Sequence, residues 1–150
     1  MIVSGEFTVQ APREAVFETI REPRTFISLV DGVQDLKEID PTHYEAVFET
    51  KIAYMKFRFN VTVEVTKLEM GEIGARIEGT PLGIVGRLTA VATTTLTESG
   101  GETKIAYSVD AALAGKLGSM GQPVMRSKAK DLEKVFVSRL RERFAQAAAE

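Results

Sequence analysis

The sequence predicts an α+β fold: a curved antiparallel sheet of about seven strands wrapped around one long C-terminal helix, with two short helices after the first strand. Three observations carry this. From Gly115 to Ala149, apolar residues recur at Leu117, Met120, Val124, Met125, Ala129, Leu132, Val135, Phe136, Leu140 and Phe144. Steps of three and four place them on one helical stripe, and such a stripe is stable only when packed against something. The segments before it alternate apolar and polar residues in the period of a strand whose one face is buried. Turn signals separate those segments by hairpin-length gaps, which selects antiparallel neighbours because parallel ones need long crossovers.

Each element follows in order. Ile2 to Gln10 sets Val3, Gly5, Phe7 and Val9 on one face, a half-buried strand. Pro12 opens a helix at the turn where its missing N–H costs nothing, Val16, Phe17 and Ile20 supply its buried stripe, and Glu22-Pro23 ends it. A second short helix covers Arg24 to Leu29, before Asp31-Gly32 turns the chain. Strands follow over Val33–Ile39, Tyr44–Ala53, Lys56–Leu68, Ile73–Gly79, Val85–Thr97 and Thr103–Leu113. The cleanest alternation is Phe57, Phe59, Val61, Val63 and Val65 against Lys56, Arg58, Asn60, Thr62 and Glu64. Gly115, Gly118, Gly121 and Pro123 interrupt the start of the long helix, so a break is expected near Gln122. Regular helix should run from Pro123, after a looser turn or short separate piece over Gly115 to Gly121. No repeat, linker or low-complexity run divides the chain, and residues 1–150 read as one domain.

Charge and composition narrow the function. The 150 residues carry a net charge of −2 with no cysteine, which excludes disulfide scaffolds and cysteine metal sites. From Gly115 onward there are eight Lys or Arg against four Asp or Glu, so the last segment is basic on an acidic body. That reads first as a solvated helix face, second as attraction to an anionic membrane surface or an acidic partner. Nucleic acid is not expected as a partner, since the pI is near 5.6 and no recognition motif is present. With no signal-peptide pattern and no apolar run of membrane-spanning length, the chain reads as cytoplasmic, with peripheral contact to a membrane left open.

Catalytic signatures are sparse. His43, the one histidine, sits in a turn after Pro41, and no metal or cofactor is expected. Gly115-Lys116 lacks the spacing of a phosphate loop, Gly79 to Gly86 lacks that of a dinucleotide motif, and Ser119 has no activating context. The inner faces hold almost no titratable groups, whereas acid–base catalysis needs them. Only Tyr44, Tyr54 and Tyr107, with Thr50 and Thr94, offer polar atoms there. This inventory suits orienting a lipophilic ligand by one or two hydrogen bonds. Small residues (Gly5, Ala90, Ala92, Ala111) facing Met120 and Met125 leave room for a cavity between sheet and helix, although the same faces could pack solid.

Gly5-Glu-Phe-Thr-Val-Gln-Ala-Pro-Arg-Glu-Ala-Val-Phe17, then Pro23 and Asp31-Gly32-Val33, resemble the START/Bet v 1-like (SRPBCC) superfamily of helix-grip proteins. Gly115-Lys-Leu-Gly-Ser-Met-Gly121, followed by Ala129, Leu132 and Phe136, resembles the CoxG family of carbon monoxide dehydrogenase subunits. The resemblance implies a deep cavity for sterols, lipids, polyketides or other hydrophobic molecules, with some members cyclases or hydratases. For the narrower family it implies an accessory role to molybdenum hydroxylases in assembly, membrane recruitment or quinone handling.

The expected function is therefore a non-catalytic carrier of a hydrophobic small molecule such as a lipid, isoprenoid or quinone, accessory to a molybdenum enzyme. Its lining is expected from Phe26, Leu29, Tyr54, Phe57, Phe59, Leu88, Tyr107, Met120, Met125 and Leu132, opening near Gly115 to Pro123. Two alternatives stand beside it: an assembly factor docking a partner complex through the basic helix or a strand edge, and a cyclase or dehydratase. The last requires a titratable residue inside the cavity.

Overall fold

In the computed structural model residues 1–149 are described, with side chains as far as Gln146. The order is β1 (Ile2–Val9), α1 (Arg13–Ile20), α2 (Pro23–Leu29), then β2 (Val33–Asp40), β3 (His43–Ile52), β4 (Met55–Glu69), β5 (Glu72–Pro81), β6 (Gly86–Ser99) and β7 (Glu102–Gly115). A 3-10 turn at Gly118–Met120 precedes α3 (Gln122–Ala149). All seven strands join one antiparallel sheet in the order β1-β7-β6-β5-β4-β3-β2.

The alternation sets which face is covered. On β4 Phe57 and Phe59 are buried, and Val61, Val63 and Val65 continue the same face half-buried. Register carries that face across the sheet: Val63 lies opposite Ile77, Ile77 opposite Ala90, and Ala90 opposite Ala111. Short helices fill one end. Val16, Phe17 and Ile20 of α1 and Leu29 of α2 pack with Val9, Leu96, Ile105 and Leu140, with Phe136 and Phe144 against them. Helix α2 begins at Pro23, and its N-cap Glu22 accepts a 2.7 Å hydrogen bond from the Thr25 N–H.

The break before α3 lies where the glycines and proline require it. Gly121 adopts φ +87, which L side chains rarely tolerate, so the 3-10 turn cannot run on into the helix. Helix α3 then spans 28 residues, about 42 Å at 1.5 Å per residue. It lies along the edge strand β1 through three arginine and tyrosine ties. Arg126 Nη1 donates to the Ile2 carbonyl at 2.7 Å, and Arg141 donates to the Thr8 carbonyl from Nε at 3.1 Å and from Nη2 at 3.0 Å. Between them, Tyr107 of β7, which lies opposite Gly5 of β1, donates its hydroxyl to Glu133 Oε2 at 2.7 Å. Fifteen helical residues cover about 22 Å and six strand residues about 20 Å, so the two run in step. The same contacts occupy carbonyls of an edge that would otherwise invite another strand.

Candidate functional site

The concave face of the sheet has two packed ends and a looser middle. Beyond the cluster under α1 and α2, a second cluster joins Ile52, Phe57, Phe59 and Leu117, with Phe48, Val61, Ile84, Leu88, Leu113, Met120, Val124 and Met125 against it. Between the two, Val63, Val65, Ala75, Ile77, Ala92, Thr94 and Val109 face inward yet are only half-buried. The facing stretch of α3 contributes Ala129 and Leu132, also half-buried. This half-open apolar middle is the candidate site.

Its polar feature is the Tyr107–Glu133 pair. Gly5 makes room for it: a Cβ at that position would stand 2.8 Å from the Tyr107 hydroxyl oxygen and 3.0 Å from its ring. Glu133 keeps 18% of its side chain exposed and also accepts from Lys130 Nζ at 3.4 Å. Burial, and then the Glu133 acceptor, push the Tyr107 hydroxyl well above its ordinary value of 10. Tyr107 thus stays neutral and spends its one proton on the carboxylate. What the pair can still offer a ligand is acceptor oxygens.

The expected lining residues fall into three groups. Phe57, Phe59, Leu88, Met120 and Met125 come together in the second cluster. Leu29 is buried in the first, where Phe26 tilts against Phe136 with ring centroids 5.6 Å apart. Tyr107 and Leu132 lie on the half-buried middle.

Tyr54 does not join them and is 99% exposed. Ile52 pairs directly with Met55, so Ala53 and Tyr54 form a two-residue turn, with Ala53 at φ +55. Their side chains point away from the sheet, and the alternation that reads even-numbered residues inward on β3 restarts with odd ones on β4. Tyr44 is also turned aside, donating to the Pro41 carbonyl at 3.0 Å. Glu133 is the residue that sequence reasoning passed over. It falls outside the apolar stripe of α3, and only its meeting with Tyr107, 26 positions away, marks it.

His43 belongs elsewhere. Its Nδ1 lies 2.9 Å from Asp40 Oδ1 and its Nε2 lies 3.1 Å from Glu64 Oε2. The Asp40 contact raises the imidazole above its usual value, and the reciprocal bond holds the Asp40 carboxyl at about 2. An open groove of about 490 Å³ surrounds this pair and includes Glu45, Thr62, Arg76 and Glu78, but none of the expected lining residues. Among the described residues no group of three or more His, Cys, Asp or Glu could hold a metal ion. Nor is any helix there long and apolar enough to cross a membrane.

The family model for CoxG, the G-type subunit of carbon monoxide dehydrogenase, matches residues 5–145. The chain belongs to the CoxG family. A conserved protein of Geobacillus kaustophilus is similar over 98% of this chain and 97% of its own, with 21% identity and a TM-score of 0.89. A START superfamily protein of Mycobacterium smegmatis shares the fold at 12% identity and a TM-score of 0.72, covering 97% and 98% of the two chains. A Thermus thermophilus protein covers both chains fully at 16% identity and a TM-score of 0.65. No curated protein matches the chain at a significant level. At these identities the solved structures speak for the START-like helix-grip fold alone, and the family match for a ligand-binding or accessory role.

Proposed function

We propose that this CoxG-family protein carries a hydrophobic small molecule, a lipid, isoprenoid or quinone, between its sheet and α3 without transforming it. The observation that carries the reading is the half-open middle of the concave face. Val63, Val65, Ile77, Ala92 and Val109 are apolar and inward-facing, yet remain partly accessible between two well-packed ends. An apolar surface of that kind, with one convergent polar pair, is what a lipophilic ligand with a single polar end requires. Because the Tyr107 proton is committed to Glu133, the pair favours a ligand end that donates a hydrogen bond. The family name supports a setting beside a molybdenum hydroxylase of the CO dehydrogenase type. A cytoplasmic carrier with reach to a membrane, where such ligands reside, would serve that setting.

Protein purified from its native host and extracted for mass spectrometry should release such a molecule. Consistently empty protein that also fails to bind quinones or fatty acids would overturn the reading. Glu133 favours a second one, a cyclase or dehydratase, because it is a carboxylate aimed at the apolar interior. Conversion of a bound ligand by the native chain, lost in Glu133→Gln while binding persists, would establish it; recovery of unchanged ligand would exclude it. An assembly role predicts instead co-purification with a molybdenum enzyme.

A further inference from the structure

Three loops meet at the end of the molecule where the second cluster lies. They are the β3–β4 turn around Tyr54, the β5–β6 loop from Leu82 to Val85, and the segment from Gly115 to Gly121. Their backbones are joined: the Lys116 N–H donates to the Val85 carbonyl at 3.0 Å, and the Leu82 N–H to the Arg58 carbonyl at 2.8 Å. Gly115, at φ +66, permits the closest approach, since a Cβ there would stand 2.6 Å from the Val85 oxygen. Fixed together, these loops present large apolar side chains to water. Tyr54 is 99% exposed, Val85 81%, Met55 54% and Leu82 49%.

The charge around them has one sign. Residues 50–63, 79–97 and 111–130 hold eight Lys or Arg (Lys51, Lys56, Arg58, Arg87, Lys116, Arg126, Lys128 and Lys130) and no Asp or Glu. Arg58 pairs with Glu49, and Arg87 with Glu78 at 2.8 Å. Lys51, Lys56 and Lys116 remain exposed beside the apolar tips.

We propose that this end docks on an anionic phospholipid surface, with Tyr54, Met55, Leu82 and Val85 entering the headgroup region and Lys51, Lys56 and Lys116 facing lipid phosphates. Single apolar side chains standing out from turns can enter a bilayer interface without a complementary partner pocket. A tyrosine is suited to that depth, and neighbouring lysines extend their stems toward the headgroups. The basic outer face of α3 is the less suitable candidate, because its cations are used within the molecule. Arg126 and Arg141 hold β1, Lys130 reaches Glu133, and Arg139 binds the Ser28 carbonyl at 3.1 Å and Asp31 at 3.5 Å. Docking stands apart from the carrier reading: a protein without ligand would still bind vesicles by these tips.

The test is vesicle co-sedimentation of the whole chain, with phosphatidylcholine alone and with phosphatidylglycerol added. The chain should bind only the anionic vesicles, and added salt should release it. Tyr54→Ser with Val85→Ser, and separately Lys51→Glu with Lys56→Glu, should each weaken binding roughly tenfold. Reversal of the exposed helix cations, Lys134→Glu with Arg143→Glu, should leave it unchanged. The chain contains no tryptophan, so emission from Val85→Trp should shift to the blue on anionic vesicles and provide a second readout. The proposal is overturned if the wild-type chain ignores anionic vesicles, if the tip variants bind as well as it does, or if the helix variant alone loses binding. Capture of a soluble protein through these tips, without vesicle binding, would overturn it as well.

Discussion

At one end of the concave face Leu140, 0% exposed, is enclosed by Val16, Phe17, Ile20 and Leu29 from the two short helices and by Val9, Leu96 and Ile105 from the sheet. At the other, Leu117 is equally buried, but what covers it is a 3-10 turn, a loop and the first turns of α3, supplying Ile84, Met120, Val124 and Met125. The first end is regular structure packed on regular structure. The second is irregular backbone held by glycines at positive φ, with two flexible methionines. Close-packed interiors tolerate little change of volume, whereas methionine-rich surfaces repack. Fold stability should therefore reside at the first end, and adaptation to a ligand at the second.

Four measurements would break or sharpen this contrast. The largest effect is expected from Leu140→Ala, which should cost about 4 kcal/mol in urea unfolding, against roughly 1 to 2 for half-buried Met125→Ala. Equal losses would erase the contrast. Gly115→Ala comes next, at about 2 kcal/mol, because it forces a side chain into positive φ against the Val85 carbonyl. Its damage should appear in hydrogen exchange around the β5–β6 loop and the start of α3, leaving the amides of α1 and α2 protected.

Tyr107→Phe removes a donor from a half-buried carboxylate and should cost about 1 kcal/mol. Ultraviolet titration adds a check on its direction. Since the hydroxyl is held above 10, the folded state retains a proton that the unfolded state loses, and stability should fall as pH rises past 10. The smallest effect is expected at His43, which belongs to neither end. Its raised value makes its contribution complete below 6.5 and lost as pH rises through the folded value. Asp40 works oppositely, its contribution present above 3.8 and lost as pH falls through about 2. Both groups are largely exposed, so solvent screening keeps these changes slight, and the chain's single imidazole can be followed by NMR.

Much of this architecture is legible in the residues themselves. Period-two alternation on β1, β4, β6 and β7 identifies the covered face, and Gly121-Gln122-Pro123 marks where the last helix can begin. Local patterns fail where a side chain's direction depends on a distant partner or on a turn's count. Tyr54 shares the parity of the inward residues of β3, and nothing in the alternation announces that the chain reverses after Ile52. Glu133 reads as a solvated position on α3 until the sheet brings Tyr107 and Gly5 beneath it. The two-cluster division is likewise invisible in a single apolar stripe, because helical periodicity records which face is buried, not what fills the other side.

The acid-free loop end has one more consequence. The rest of the chain must hold every carboxylate, among them Glu69, Glu72, Glu98 and Glu102 at the turns of the far end of the sheet. The molecule is thus an electric dipole, and its net charge of −2 is a poor guide to how it meets a charged surface. Within a Debye length, about 8 Å at physiological salt, a negative plane exerts a torque that draws the basic end in and turns the acidic end away. Orientation would precede contact, and low ionic strength would speed the encounter.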